Sequence, residues 1–434
     1  MKRTLQLLLM AALSSSGALG QINCANSAVA QKLVCLFPFS TGVLSNDRAL
    51  GTPSGPQSGN SAAFTQATQV AESLNIAIAS QASQLPLASA SAGTVVILKG
   101  GVPETFNNLG PILVDRAQTI GKGRVFVGFT ASQFVFTSID GTSLGALPFS
   151  YFRTAYNPST GQVQSNTYTT ESANLNFRIN QYIGVATVGL SKRIDASVII
   201  PWEHVSFGDA VSGSTNYVVA ANNVELFKYS LPKQYSSGTK SGVGDLVFNV
   251  KSVLASGEYS TFAAGINFRT PTGDDLNFLG SGAWGFNPYL VYSYLWKVSP
   301  HAKIGYQWNT SSELNNPTNT AGGNQNLPGG VQYDVGADWA MRKRLTFAGD
   351  LLGSQYLNTP RLVTTTTTLS TTTGQFSLPS SVSSNSTYSI SNLSLGLKWS
   401  PAGKLVLSGN VLIQLNNNGL HARPAPLLGI SYKF

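Results

Sequence analysis

The sequence predicts an all-β chain: a transmembrane antiparallel β-barrel of about 12 strands, preceded by a mixed N-terminal segment with some helix. Three observations carry this prediction. The chain opens with an export signal, runs from residue 121 onward as long segments of alternating polarity, and joins those segments by connections that are alternately short and long.

Met1-Lys2-Arg3-Thr4 and the apolar run Leu5 to Leu13 form the charged and hydrophobic parts of a secretory signal, with Ala18-Leu19-Gly20 as the cleavage region, so residues 1–20 are expected to be removed. The run is shorter than the roughly 20 apolar residues that a spanning helix needs, and no later stretch reaches that length. Cys24 and Cys35 follow the cleavage region, and in an oxidising compartment they are expected to form one disulfide. A lipid-anchored Cys24 is the rival reading, although Gln21-Ile22-Asn23 is a poor context for it.

Charged residues make up 10% of the chain, against about 25% in ordinary soluble domains. The net charge of +9 is scattered except for Arg342-Lys343-Arg344, which sits in a tight turn, so nucleic-acid binding is not expected. Residues 21–120 form a periplasmic or lumen-plugging segment, in which Ala62 to Leu85 carries an irregular amphipathic helical pattern and Gly93 to Leu98 a short strand.

In the barrel portion, 121–434, strands are expected near 123–138, 172–190, 195–207, 242–254, 259–270, 284–296, 301–310, 330–341, 344–357, 387–399, 403–414 and 424–434. Short turns fall at 191–194, 255–258, 297–300, 342–344 and 400–403, and the intervening connections are longer, with 358–386 the longest flexible-looking loop. Short periplasmic turns and long extracellular loops are what an outer-membrane barrel shows. Within strands, Val331, Tyr333, Val335, Ala337, Trp339 and Met341 oppose Gln332, Asp334, Gly336 and Asp338, and Ile304, Tyr306 and Trp308 oppose Lys303, Gly305 and Gln307. The apolar sets are expected to face lipid. Leu428 to Phe434 ends on an aromatic behind alternating apolar residues, the form of signal by which barrels are handed to the outer-membrane assembly machinery.

Parity then nominates lumen-lining residues: Asp245, Asn249 and Lys251 on one strand, Asn267 and Arg269 on the next, and Lys303, Asp334 and Asp338 further round. As function they would filter solutes, and as structure they would be a salt-bridge network stiffening the interior. Asp274-Asp275 beside Gly273 has oxygen ligands suited to calcium, but Pro, Gly and Asp are ordinary turn residues and a metal site is not expected. His204, His301 and His421 fall at strand ends or in loops, and His204 beside Glu203 is the best candidate for a lipase-like site. With no nucleophile elbow, zinc motif or P-loop present, neither an enzyme nor a cofactor is expected.

Gly244-Asp245-Leu246, Lys251, Asn267-Phe268-Arg269-Thr270-Pro271-Thr272-Gly273-Asp274 and Asn277-Phe278-Leu279-Gly280-Ser281-Gly282 together resemble the outer-membrane transporter family of the phenol meta-cleavage degradation pathway, itself similar to the long-chain fatty-acid channels. The resemblance implies a monomeric barrel that passes small hydrophobic or aromatic solutes, with the Gly-Asp and Pro-Thr-Gly-Asp residues as architectural positions. Two features depart from the fatty-acid channels: a longer N-terminal segment, and about 12 strands in place of their 14. A surface barrel serving adhesion through its long loops, and more remotely a barrel lipase, are the competing functions.

Overall fold

A chain whose strands alternate apolar and polar side chains has two ways to hide one face, a sandwich or a closed barrel, and only the closed barrel leaves no unpaired edge in lipid. The computed structural model describes residues 28–32, 70–81, 95–99, 102–106, 108–156, 163–219, 225–315, 324–371 and 374–434. It shows the closed solution. The barrel strands are β1 (Val125–Ile139), β2 (Val163–Gly189), β3 (Ile194–Val219), β4 (Val247–Ser256), β5 (Ser260–Arg269) and β6 (Gly285–Tyr294), followed by β7 (Val298–Asn309), β8 (Gly330–Arg342), β9 (Leu345–Thr371), β10 (Gly374–Trp399), β11 (Leu405–Gln414) and β12 (Ala425–Lys433). Each pairs antiparallel with the next, and β12 closes on β1 through Phe126 opposite Lys433. All 12 lie where the alternation in the sequence puts them.

The tilt of the alternation relative to lipid is read from tryptophan. All six tryptophans face outward, between 43% and 54% exposed. Trp296, Trp339 and Trp399 lie by the short turns, and Trp202, Trp284 and Trp308 toward the opposite rim. Trp284 and Trp296 bracket β6, roughly 40 Å apart along the strand and about 30 Å once tilted, which matches a bilayer's apolar thickness. Between the two girdles the exterior carries Phe248, Val250, Phe262, Ile266, Leu290, Ile304, Val335 and Leu351, all exposed. This is an outer-membrane β-barrel.

Beyond the long-loop rim the strands do not stop. β2 and β9 each run 27 residues, and β3 and β10 each run 26. At about 3.3 Å per residue that is roughly 85 to 90 Å, far more than a membrane requires. In 358–386, expected as a flexible loop, residues 359–371 and 374–386 instead form a β-ribbon paired from Thr359 opposite Ser386 to Thr371 opposite Gly374. The run of Thr and Ser that reads as low complexity is β-branched and hydroxyl-rich, compatible with an exposed two-stranded ladder. Likewise Glu225–Val243 pairs with β3 above the point where β4 leaves it, and Leu147–Tyr156 pairs with β2. Ser150 joins this annex to β10, its backbone N–H donating to Ser380 Oγ at 3.1 Å and its hydroxyl to Pro379 O at 2.7 Å.

Three described parts of the segment preceding β1 pack against this wall, the first being residues 28–32, whose Val29 and Ala30 belong to the same apolar cluster as Phe134 and Phe136. Residues 70–81 are helical, and Val70, Leu74 and Ile78 share one apolar cluster with Phe134, Phe136 and Phe177 of β1 and β2. Residues 108–120 run as irregular chain among inward-facing polar groups near the short-turn rim. The strand expected at 93–98 is present as Val95–Lys99, paired with Val102–Phe106. Cys24, Cys35 and residues 1–20 lie outside the described residues.

Candidate functional site: an amphipathic space in the lumen

Because side chains alternate across a strand, each pair of neighbouring strands sends a ladder of polar groups inward. Asn249 donates through Nδ2 to Asn267 Oδ1 at 2.7 Å and to the Tyr289 hydroxyl at 2.8 Å, and Asn287 Nδ2 donates to Gln332 Oε1 at 2.7 Å. These amides, spread over β4 to β8, form one polar wall. Opposite them stand Phe134 and Phe136 of β1, Leu412 of β11, and Leu420 and Ala425 at or near β12. Between the walls lies a partly open cavity of about 220 Å³, also lined by Gln81 of the helix and by Leu113 and Asp115 of the 108–120 segment. Its lining is amphipathic by construction.

The eight nominated residues all point inward, as parity requires, but they divide into three groups. Asn249, Asn267, Arg269, Lys303 and Asp334 line the cavity. Lys303 lies opposite Asp334 in the register of β7 and β8, with its ammonium 4.5 Å from the centroid of the Tyr289 ring.

Asp245 serves a different purpose. Its carboxylate accepts from Ser281 N–H at 2.7 Å, from Ser281 Oγ at 2.6 Å and from Gly273 N–H at 3.1 Å, and lies 3.6 Å from Arg269. Gly280 is required there, since a Cβ would come within 2.3 Å of Asp245 Oδ1. Thr272 Oγ1 donates to Gly244 O and accepts from Leu246 N–H, and Gly282 holds a φ of +66° that favours glycine. The Gly-Asp and Pro-Thr-Gly-Asp residues therefore clamp the 270–284 loop onto the end of β4. Within that loop burial, reinforced by Glu313 and Asp274, holds the Asp275 carboxyl above the usual carboxylate range.

Lys251 and Asp338 bind the 108–120 segment. Lys251 Nζ donates to Arg116 O at 2.7 Å rather than joining Arg269. Arg116 is 3.0 Å from Asp338, whose other oxygen is 3.3 Å from His301 Nδ1, and His301 Nε2 is 2.8 Å from Asp350. Lys398 Nζ donates to Pro111 O, Leu109 N–H to Thr346 Oγ1 at 3.0 Å, Ala117 N–H to Ser293 Oγ at 3.0 Å and Ile120 N–H to Asp195 at 2.9 Å. His301 is thus a buried strand residue, contrary to the strand-end position expected for it. Its inward parity with Lys303 was the signal that could have found it, as the parity of Asp350 and Lys398 could have found them. Arg116 carries no such signal, because its segment has no strand period.

The candidate for a lipase-like site, His204, stands apart from Glu203. His204 Nδ1 lies 2.6 Å from Ser241 Oγ on the outward face, but Glu203 faces inward and accepts from Gln181 Nε2 at 3.0 Å. Neighbours in sequence point to opposite faces of a strand, so Glu203 does not orient the ring. Among the described residues no cluster of three or more metal-ligating side chains is found.

A closed barrel with an aromatic girdle at each rim defines the class, an outer-membrane β-barrel. The family model described as "Putative MetA-pathway of phenol degradation" matches residues 152–340, which contain the whole Gly-Asp to Gly-Ser-Gly arrangement, so the resemblance drawn from those motifs holds. No curated protein matches the chain at a significant level. Among solved structures, an outer membrane channel from Pseudomonas putida F1 is similar at 13% identity and a TM-score of 0.41, over 73% of this chain and 98% of that one. A Pseudomonas aeruginosa FadL homologue is similar at 9% identity and a TM-score of 0.32, over 72% and 90%. The CymD monoaromatic hydrocarbon channel is similar at 9% and 0.32, over 72% and 88%.

Proposed function

We propose that the chain is a passive outer-membrane channel for small hydrophobic or aromatic solutes, exported by cleavage after residue 20, with 21–120 as an insert in the lumen of the 121–434 barrel. The observation that carries this reading is the amphipathic space in the lumen. A wall of Asn and Gln amides faces Phe134, Phe136, Leu412, Leu420 and Ala425, with Asn392, Gln414 and Arg423 among them, across a volume fit for a single-ring compound. Such a solute slides along the apolar wall while its one polar group exchanges hydrogen bonds along the amide ladder. Many weak, similar sites favour passage over capture. Arg269, Lys303 and Asp334, set among the amides, are the filter. Proteoliposome uptake tests it: single-ring aromatics are expected to enter faster than sugars of similar mass, and equal rates would contradict the reading.

A second reading rests on the outward His204 and Ser241 pair, which has the distance of a base and nucleophile. Phospholipid hydrolysis that disappears in His204→Ala would establish it.

A further inference from the structure

Charge is distributed unevenly between the two ends of the barrel. At the short-turn rim, Lys122 and Arg124 lead into β1, Lys192 and Arg193 make the turn between β2 and β3, and Lys297 ends the turn between β6 and β7. Arg342, Lys343 and Arg344 occupy the turn between β8 and β9, and Lys404 that between β10 and β11. All nine are exposed, and the one exposed acidic side chain among the turns is Glu258, between β4 and β5. Removing these from the chain's 27 basic and 18 acidic residues leaves 18 against 17, so the rim holds nearly all of the net charge.

Strand order makes the rim continuous. Passing around the barrel, the turns follow as 400–404, 342–344, 295–297, 257–259 and 190–193, returning to 122–124, and only the Glu258 turn lacks a cation. The charges are not consumed internally: the ion pairs among the described residues use Arg116, Arg269, His301 and Arg361, none of the nine. Arg344 is held by one hydrogen bond, donated to Pro401 O at 3.0 Å, which ties two neighbouring basic turns together. Directly above the ring on the lipid face lie Trp296, Trp339, Trp399 and Tyr432, the aromatics that mark the boundary between acyl chains and headgroups.

A belt of unpaired cations one step below an aromatic girdle sits at the depth of lipid phosphates. We infer that the short-turn rim is a binding surface for anionic phospholipid headgroups of the periplasmic leaflet. Each lipid places its acyl chains against the girdle and its phosphate between cations of adjacent turns, and the continuity of the ring provides several such places. Phosphate is recognised here by charge and by the forked guanidinium of Arg124, Arg193, Arg342 or Arg344.

The test uses the full mature chain in neutral detergent, with phosphatidylglycerol or phosphatidylcholine added separately and the lipids retained counted by native mass spectrometry. The wild type is expected to retain phosphatidylglycerol by about fivefold or more over phosphatidylcholine, the factor that one well-placed cation near an anionic surface supplies. A variant carrying Arg342→Gln, Lys343→Gln, Arg344→Gln and Lys404→Gln should lose most of that preference. One carrying Lys233→Gln and Lys240→Gln, exposed on the Glu225–Val243 extension, should keep it. If the fourfold variant does not fold, Lys192→Gln with Arg193→Gln on the other arc takes its place. A wild type with no lipid preference, a rim variant that keeps the preference, or equal loss in the Lys233 and Lys240 variant would overturn the inference.

Discussion

Arg116→Met is the perturbation that probes most deeply how the segment before β1 is held. Arg116 and Asp338 are both about 1% exposed and 3.0 Å apart. Removing the arginine leaves His301 as the charged group in direct contact with both Asp338 and Asp350. Breaking a buried pair by deleting one member costs on the order of 3–5 kcal/mol. Part of that is recovered here, because Asp338 keeps His301 at 3.3 Å, so about 3 kcal/mol is the expected loss. The rest of the segment remains tied by Lys398, Thr346, Ser293 and Asp195, at about 1 kcal/mol for each neutral hydrogen bond and more where a charge takes part. The barrel wall, closed by its own ladders, is untouched. The change should therefore loosen 108–120 locally, raising its opening about 100-fold without unfolding the barrel. Amide hydrogen exchange by mass spectrometry reads this directly: peptides covering 108–120 lose protection, while those of β4 to β8 do not. Adding Asp338→Leu to Arg116→Met removes the stranded carboxylate and should restore part of the protection. Unchanged exchange in 108–120, or loss of protection spread evenly over the strands, would refute the reasoning.

Other expectations follow from the same geometry. Ile266→Arg, outward and near the middle of β5, should cost about 2–4 kcal/mol and impair assembly, whereas Phe268→Arg, at the strand end beside Trp284, should cost less. Arg269→Ala leaves Asp245 with its three loop donors, so heat-modifiable gel mobility should show a folded barrel and flux assays an altered selectivity. In the 270–284 loop the raised Asp275 carboxyl favours the protonated form when the loop is closed. That contribution is complete below the unfolded pKa and is lost as pH rises through the folded one. A nitroxide at Leu276 should accordingly become more mobile from pH 3 to pH 7 (working values of about 3 and 7, spanning the carboxylate range), and Asp275→Asn should remove the dependence. Labelling of intact cells should modify a cysteine placed at Thr366 and spare one placed at Lys343. Mass spectrometry of the non-reduced N-terminal peptide should find Cys24 bonded to Cys35.

The barrel was legible because a membrane imposes a period on every strand. Phe248 and Val250 had to face lipid if Asn249 and Lys251 faced inward, and one side chain out of step would have put a charge in hydrocarbon. The five short turns were legible for the same reason, since they interrupt that period with Gly, Ser, Pro and charge. Beyond the membrane the constraint lapses. Thr364 to Thr368 has no apolar face to register, so its pairing with Pro379 to Ser381 and their neighbours left no pattern to read. The family-like motif was visible as a motif, but its reason was not. Asp245 meets Ser281 across 36 positions of sequence, and only the fold brings them together. Arg116 was invisible because irregular chain has no parity, while its partner Asp338, nominated either to line the lumen or to join a salt-bridge network, pairs with it to hold the segment inside.

The most direct test of the channel reading is flux through the amphipathic space itself. Ala422, half-buried on the apolar wall, is a place where bulk can be added without touching the polar ladder. In vesicles with a lipopolysaccharide outer leaflet, the wild type is expected to admit a single-ring aromatic well above protein-free vesicles, and Ala422→Trp to reduce that entry while retaining the heat-modifiable mobility of a folded barrel. Aromatic entry that is no faster than in protein-free vesicles, or that is the same in the wild type and in Ala422→Trp, would contradict the account.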